Sequence, residues 1–328
     1  MASWKLRHIT HESPQEEKDQ VRNLWEGLYI WATHSRLEKP WGKETYGFVG
    51  AFDKDRCVGT TSYTISSRGQ GIVSQVQTHN DYRRQGIANA TVQEVIETFR
   101  RKGARAVYLA AWDEWIRNIY RKFGFELKGT MGRRGAFKLT LNKSGEDENL
   151  FRPGQKTLLR PLALDDQADL TSLFVAQHGC IVKHYELGCY VGSYFEGEFF
   201  ILHNQVVPGV VPEERKAKKG YRAIVLDGDE TILGLGTVIP PARRHEGHTG
   251  VVDIVIHPNY REHMAEMLDR LEDNCDLDHL TVYMEEHEDY KREVYERAGY
   301  RKLARLEKQL KIDDSVYNLE MYRKNFVS

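Results

Sequence analysis

The 328-residue sequence is poor in cysteine, has no long apolar run and carries no surplus of charge of either sign. Its four cysteines, Cys57, Cys180, Cys189 and Cys275, form no CxxC pair. They are too sparse for a disulfide framework, so reduced and mostly buried thiols are expected. Met1 to Glu12 lacks an apolar signal core, and no stretch approaches the roughly 18 apolar residues that span a bilayer. A soluble, cytoplasmic protein with no membrane partner is the expectation. Lys plus Arg number 47 against 48 Asp plus Glu. That balance leaves no global positive field to gather phosphates, and no nucleic-acid partner is expected. What remains is 40% hydrophobic content over about twice the length of a common domain, enough for two cores.

An internal repeat organises that length. Val76-Gln77-Thr78-His79-Asn80-Asp81-Tyr82-Arg83 recurs as Ile254-Val255-Ile256-His257-Pro258-Asn259-Tyr260-Arg261, an offset of 178. Tyr120-Arg121-Lys122-Phe123-Gly124-Phe125 recurs as Tyr295-Glu296-Arg297-Ala298-Gly299-Tyr300 at 175, so the second copy has lost three residues between the landmarks. Leu6-Arg7-His8-Ile9 matches Leu159-Arg160-Pro161-Leu162 at 153, so the second copy gained 25 residues early (178 − 153). His178 to Gly220, Gly-rich and aromatic without a clean helical or strand period, is where that insertion fits. Asn142 to Asn149, followed by Arg152-Pro153-Gly154, is polar and helix-breaking and is expected to be a linker. Two domains follow, residues 1–149 and 150–328.

In the first copy, strands are expected over Tyr46 to Cys57 and Val58 to Ser66 around the turn Asp53 to Arg56, with a third over Ile72 to Thr78. Val92, Val95, Ile96 and Phe99 fall at helical spacing before Gly103. Ala106 to Ala111 is a short buried strand, and Ile116, Ile119, Tyr120 and Phe123 form a second helical stripe ended by Gly124. These elements make an α/β (α+β) fold: in each half, a mixed, mostly antiparallel twisted sheet flanked by helices.

Between the third strand and its helix lies Arg83-Arg84-Gln85-Gly86-Ile87-Ala88. A small-residue turn at a helix N-terminus offers several backbone N–H groups to a pyrophosphate, and the helix dipole favours that anion. The segment fits Q/R-x-x-G-x-G/A, and Tyr120 to Phe125 fits a Tyr followed by Gly-Phe. Together, in this order, they resemble the signatures of the GNAT superfamily of N-acyltransferases, firmly over residues 4–141 and loosely over 157–325. The resemblance implies that Arg83, Arg84, Gln85, Gly86, Ile87 and Ala88 cradle the pyrophosphate of an acyl-CoA. It also implies that the backbone of Val76, Gln77 and Thr78 pairs with the pantetheine arm almost as an added strand, and that Tyr120 protonates the departing CoA thiolate. The plain alternative for Tyr120 is packing with Ile116 and Phe123. No metal is implied.

The sequence departs from the family in two places. Asp113 stands where many members have Asn, seven residues before the tyrosine. Ser74, Gln75 and Tyr108 stand where a Glu base is common, so no base is named. The acceptor side in this superfamily is built by the first two helices and their loop, here carrying Trp25, Tyr29, Trp31, His34, Arg36, Trp41 and Glu44. Aromatics at that density suit a pocket wall or simply a core face, and Arg36 suits a substrate carboxylate. His34 and Glu44 are the acid/base candidates there. His245-Glu246-Gly247-His248 lacks the HExxH spacing of a zinc helix. Glu285 to Asp289 suits a solvated helix start.

The second copy keeps the strand Val251 to His257, the helical stripe Met264, Met267, Leu268 and Leu271, and Tyr295. It lacks the glycine turn, because Tyr260-Arg261 runs almost directly into Glu262-His263-Met264. Asp253, aligned with Gln75, is a carboxylate suited to a binding role. Tandem GNAT proteins such as mycothiol synthase share this two-half plan. The expectation is an enzyme, an acyl-CoA-dependent N-acyltransferase moving acetyl from acetyl-CoA to a primary amine of a small polar metabolite, as monomer or homodimer. One acyl-CoA is expected per chain, held by the first copy. The competing expectations are transfer to a protein amine and a non-catalytic acyl-CoA-binding module.

Overall fold

The computed structural model describes residues 4–25, 30–141, 149–206, 220–240, 248–273 and 275–326. One seven-stranded sheet contains β1 (Trp4–Ile9), β2 (Thr45–Asp53), β3 (Arg56–Ile65), β4 (Gln70–Thr78), β5 (Ala106–Ala111), β6 (Glu126–Met131) and β7 (Arg134–Thr140), in the order β1-β2-β3-β4-β5-β7-β6. β1 to β4 are antiparallel neighbours, while β4 and β5 run parallel. Helices α1 (Gln15–Leu24) and α2 (Ile30–Glu38) separate β1 from β2, α3 (Ile87–Arg101) joins β4 to β5, and α4 (Glu114–Lys122) follows β5.

α3 forms because its apolar residues recur at helical spacing: Ile87, Val92, Val95, Ile96 and Phe99 are all buried. It stops at Lys102, where Gly103 takes φ +72°. Val92, Val95, Ile96 and Phe99 pack with Val49, Tyr63, Val73, Val107, Leu109 and Phe137 of the sheet in one core. Each such side chain contributes about 1.5–3 kcal/mol of burial. The turn between β2 and β3 is tighter than the sequence pattern indicates, since Arg56 and Cys57 already belong to β3 and pair with Asp53 and Phe52.

The second seven-stranded sheet contains β8 (Leu158–Pro161), β11 (Arg222–Asp227), β12 (Ile232–Ile239), β13 (Thr249–Ile256), β14 (His279–Glu285), β15 (Arg301–Ile312) and β16 (Ser315–Asn325). Its order, β8-β11-β12-β13-β14-β16-β15, repeats that of the first sheet, with β13 and β14 as the parallel pair. α5 (Gln167–Val175) follows β8, α7 (Met264–Glu272) joins β13 to β14, and α8 (Asp289–Arg297) follows β14. Residue-level detail repeats as well. A ring nitrogen of His79 accepts the N–H of Asp81, and His257 accepts that of Asn259. Tyr120 meets Phe125 edge to face as Tyr295 meets Tyr300.

The described part of the expected insertion, residues 178–206, holds regular elements although its sequence shows no clean period. It holds a small antiparallel pair, β9 (Val182–His184) with β10 (Cys189–Tyr190), and helix α6 (Gly197–Val206). Phe199, Phe200 and Leu202 of α6 are all buried, and Phe195 stacks on Phe174 at 4.1 Å. β9 and β10 are only three and two residues long, too short to display a period.

The chain folds as two compact units that do not follow its order. The first comprises residues 1–127, 136–146 and 164–172; the second comprises 128–135, 147–163 and 173–328. Within the first, Asp169 accepts from Ser66 Oγ at 2.7 Å and pairs with Arg68 at 2.8 Å, and the N–H of Lys43 donates to Asp165 at 2.8 Å. Within the second, Arg134 pairs with Glu198 at 2.7 Å, and Asp313 accepts from Thr130 and from the N–H of Gly132, each at 3.1 Å.

Burial pushes three histidines of the second unit down, His178 to about 3, His184 to about 4 and His257 to about 4. The unfolded chain binds those protons near pH 6.5 and the folded unit only near 4 or below. Their stability contribution is therefore complete above 6.5 and lost as pH falls toward 4. Glu285, raised to about 7 by burial, acts in the opposite sense over the same interval. Glu288, also raised by burial, acts with Glu285, and three histidines against two carboxyls leave a net loss on acidification. His184, 1% exposed, alone represents roughly 2 kcal/mol at pH 5. Hydrogen exchange of β12 and β13 amides, corrected for intrinsic rates, is expected to give a lower opening free energy at pH 5 than at pH 7. Equal values would refute this balance.

Candidate active site

The carboxyl ends of the parallel strands β4 and β5 face the same edge of the first sheet. There the strands part: they pair only from Gln70–Ile72 to Ala106–Tyr108, although β4 continues to Thr78 and β5 to Ala111. A β-bulge re-aims β4 at that point. Thr60 faces Gln77 and Ser62 faces Ser74, so Gln75 and Val76 together oppose Thr61, and Gln75 takes φ +52°. Thr60 Oγ1 holds the bulge by donating to the carbonyl of Gln75 at 3.1 Å. Gln70 to Val73 are buried, whereas Ser74 to Thr78 are only half-buried.

β4 leads through a short 3-10 turn, Asn80–Tyr82, into the loop Arg83 to Gly86 and then α3. Gly86 caps α3 with φ +80°, and Arg84 is also left-handed at φ +63°. A Cβ on Gly86 would meet nothing within 4 Å. The loop is therefore open on the side where a ligand would sit. Arg83, Arg84, Gln85 and Gly86 are exposed, while Ile87 is buried with Ala51 and Val58 and anchors the turn. The first amides of a helix have no partner within it. Thr78 Oγ1 is buried without a partner among the described residues. Exposed amides, adjoining arginines and an open glycine face suit a pyrophosphate.

Tyr120 lies on α4, 7% exposed, its ring edge-on to Phe125 at 5.9 Å. It shares its apolar cluster with Val76 of β4 and with Leu109 and Ala111 of β5. The structure thus brings Tyr120 to the two strands that part. Asp113 stands at the N-cap of α4 without a side-chain cap bond. Beside it, Trp112 and Trp115 are 60% and 66% exposed. Sequence reasoning passed over both, although Trp112-Asp113-Glu114-Trp115 at a strand-to-helix passage is a visible signal of surface aromatics.

Other expected site residues are committed elsewhere. Arg36 is no free receptor for a substrate carboxylate. It grips Glu44 with Nε at 2.8 Å and Nη2 at 3.1 Å, donates to Gln167 at 2.7 Å and lies 4.1 Å over the Trp41 ring. Burial raises Glu44 to about 7 against the pull of Arg36, but a carboxylate held at both oxygens is a poor base. Burial and the nearby Arg22 lower the pKa of His34, and Arg22 donates to its backbone carbonyl. Gln75 is engaged at both ends, accepting from Tyr46 at 2.9 Å and donating to Thr33. Ser74 pairs with Ser62, and Tyr108 with Gln70. Trp25 is half-buried; Tyr29 and the side chain of Trp31 lie outside the described residues, as do His245, Glu246 and Gly247. Cys57 and Cys189 are buried thiols, Cys180 and Cys275 half-buried.

The second unit shows the same framework without the loop. Residues 258–263 form a 3-10 helix that runs straight into α7, with no left-handed residue. β12 and β13 pair in unbroken register from Gly234↔Ile256 to Ile239↔Val251, so the bulge is gone. Asp253 is no ligand-binding carboxylate: it is locked to Lys291 at 2.8 Å, both side chains 1% exposed. Glu285 and Glu288 are half-buried rather than a solvated helix start. Burial raises Tyr295, which is fully buried.

Residues 7–125 match the model of the acetyltransferase (GNAT) family. Solved structures with similar folds include an N-acetyltransferase from Staphylococcus aureus Mu50, 11% identical, TM-score 0.42, covering 52% of this chain and 98% of its own. A Salmonella typhimurium protein assigned as an acetyltransferase, with its cofactor acetyl-CoA, is 12% identical, TM-score 0.40, covering 53% and 95%. A spermidine N-acetyltransferase chimera from Vibrio cholerae and hSSAT is 16% identical, TM-score 0.36, covering 52% and 95%. At such identities they bear on neither substrate nor mechanism. No curated protein sequence matches the chain significantly. No described helix is long and apolar enough to cross a membrane.

Proposed function

We propose, on the premise that residues 7–125 match the acetyltransferase (GNAT) family model, that this chain transfers an acetyl group from acetyl-CoA to the primary amine of a small polar metabolite. One observation carries the reading. The half-buried outer part of β4, parted from β5, leads directly into an open left-handed turn at the N-terminus of α3.

In this reading the amides of residues 84–88, with Arg83 and Arg84, hold the pyrophosphate, and the backbone of Val76, Gln77 and Thr78 aligns the pantetheine. The co-substrate supplies an acyl group activated as a thioester. The amine nitrogen forms a bond to the thioester carbonyl, the C–S bond breaks, the nitrogen loses a proton to solvent, and the Tyr120 hydroxyl donates one to the sulfur. Tyr120 suits that donation because its ring is fixed against Phe125 within reach of both parted strands.

The test is release of free CoA across an amine library with several acyl-CoAs. Turnover confined to small amines supports the proposal. Turnover only with peptide amines would move the acceptor to proteins, and acyl-CoA binding without turnover on any amine would leave a binding module.

A further inference from the structure

β13 and β14 part as β4 and β5 do. They pair from Thr249–Val251 to His279–Thr281 and then diverge, β13 toward β12 and β14 toward β16. Yet the outer half of β13 is buried throughout, where that of β4 is half-open. What covers it belongs to the same unit. β9 packs against both β13 and β14. At one end of the segment, the N–H of Tyr185 donates to Asp253 Oδ2 on β13 at 2.6 Å. At the other, the N–H of Ile181 donates to Glu285 Oε1 at the end of β14, at 3.3 Å. Between them, His184 Nε2 meets Thr237 Oγ1 of β12 at 2.7 Å, and the Tyr185 ring stacks on Tyr283 of β14 at 4.0 Å. Lys291 of α8 closes on the other oxygen of Asp253 at 2.8 Å.

We propose that Ile181–Tyr185 is a built-in occupant of this parting, an extended strand of the protein's own chain lying where the first unit would receive the pantetheine arm. The inference rests on the reading of β4 given above. It gives two side chains a purpose the reaction does not: Asp253 and Glu285 are receptors for the amides of the occupant. The segment is held there through its amides on these two carboxylates, while its own strand pairing is with β10, so it covers the parted strands without extending their ladder. The second unit then excludes the cofactor by occupation, independently of its missing phosphate turn. The residues that occupy it lie in the early insertion, which the first copy lacks.

Residue-resolved hydrogen exchange on the full chain, with and without acetyl-CoA, tests this. In the free protein the amides of Ile181 and Tyr185 are expected to be protected by on the order of a hundredfold or more, and acetyl-CoA should leave them unchanged. Free exchange of either amide, or loss of their protection when acetyl-CoA is added, overturns the inference. Tyr185→Ala, which removes the ring stacked on Tyr283, is expected to speed exchange across 181–185 at least about tenfold with acetyl-CoA affinity unchanged. Unaltered exchange in that variant, if folded, also overturns it. Failure of the cofactor reading itself would register elsewhere, as missing protection at residues 76–78 and 84–88.

Discussion

Replacing Gly86 with glutamate is expected to weaken acetyl-CoA binding at least about a hundredfold while the protein stays folded. Gly86 takes φ +80°, a conformation that costs an L-residue about 1–2 kcal/mol. Its Cβ would meet no protein atom within 4 Å, so the fold bears only that strain. The new side chain instead enters the open space over the turn and carries a negative charge. Against a phosphate charge about 4–5 Å away, at the effective dielectric of a protein surface, the repulsion amounts to roughly 3–4 kcal/mol. That alone corresponds to about 10²–10³ in affinity. Gly86→Ala separates the contributions, because it keeps the strain and the lost close approach without the charge. Titration calorimetry beside circular dichroism reads both. A folded Gly86→Glu protein that binds acetyl-CoA normally would show that this turn does not hold the pyrophosphate.

Tyr120→Phe is expected to lower kcat by about 10²–10⁴, the usual worth of general acid catalysis, with little change in affinity for acetyl-CoA. The substitution keeps the ring, and with it the edge-to-face contact on Phe125 and the packing with Val76, Leu109 and Ala111. Stability should hold. The hydroxyl matters only as negative charge develops on sulfur, so the loss belongs in kcat and kcat/KM together. Steady-state rates over a range of pH, with the Kd measured separately, decide the matter. Unimpaired turnover at every pH would leave Tyr120 a packing residue like Tyr295, whose ring lies against Tyr300 in the second unit.

Much of this fold is legible in the sequence because its elements carry local signals. The α3 stripe, Gly103, Gly124 and the repeat from Val76 to Arg83 are patterns within a few turns of chain. The bulge at Gln75 is not legible, since no glycine marks its φ of +52°. Neither are the partners of the buried charges. Arg36 offers itself on paper as a carboxylate receptor, and only the fold supplies Glu44 and, from 131 residues away, Gln167. Asp253 is misjudged for the same reason, because Lys291 and the amide of Tyr185 reach it only through tertiary packing. The segment β9 to α6 escapes pattern reading because its strands, Val182–His184 and Cys189–Tyr190, are too short to display a period.

The first unit takes residues 164–172 from beyond the linker, and the second takes 128–135 from before it. A duplication whose copies have traded pieces is no longer reversible by deletion. Losing either copy would strip the survivor of part of its own core: Arg68 would lose Asp169 and Arg36 would lose Gln167, or Glu198 would lose Arg134. Selection on either unit therefore preserves both, whether or not both perform chemistry. Residues 1–149 and 150–328 produced as separate polypeptides should each be unstable alone and recover a native circular dichroism spectrum on mixing.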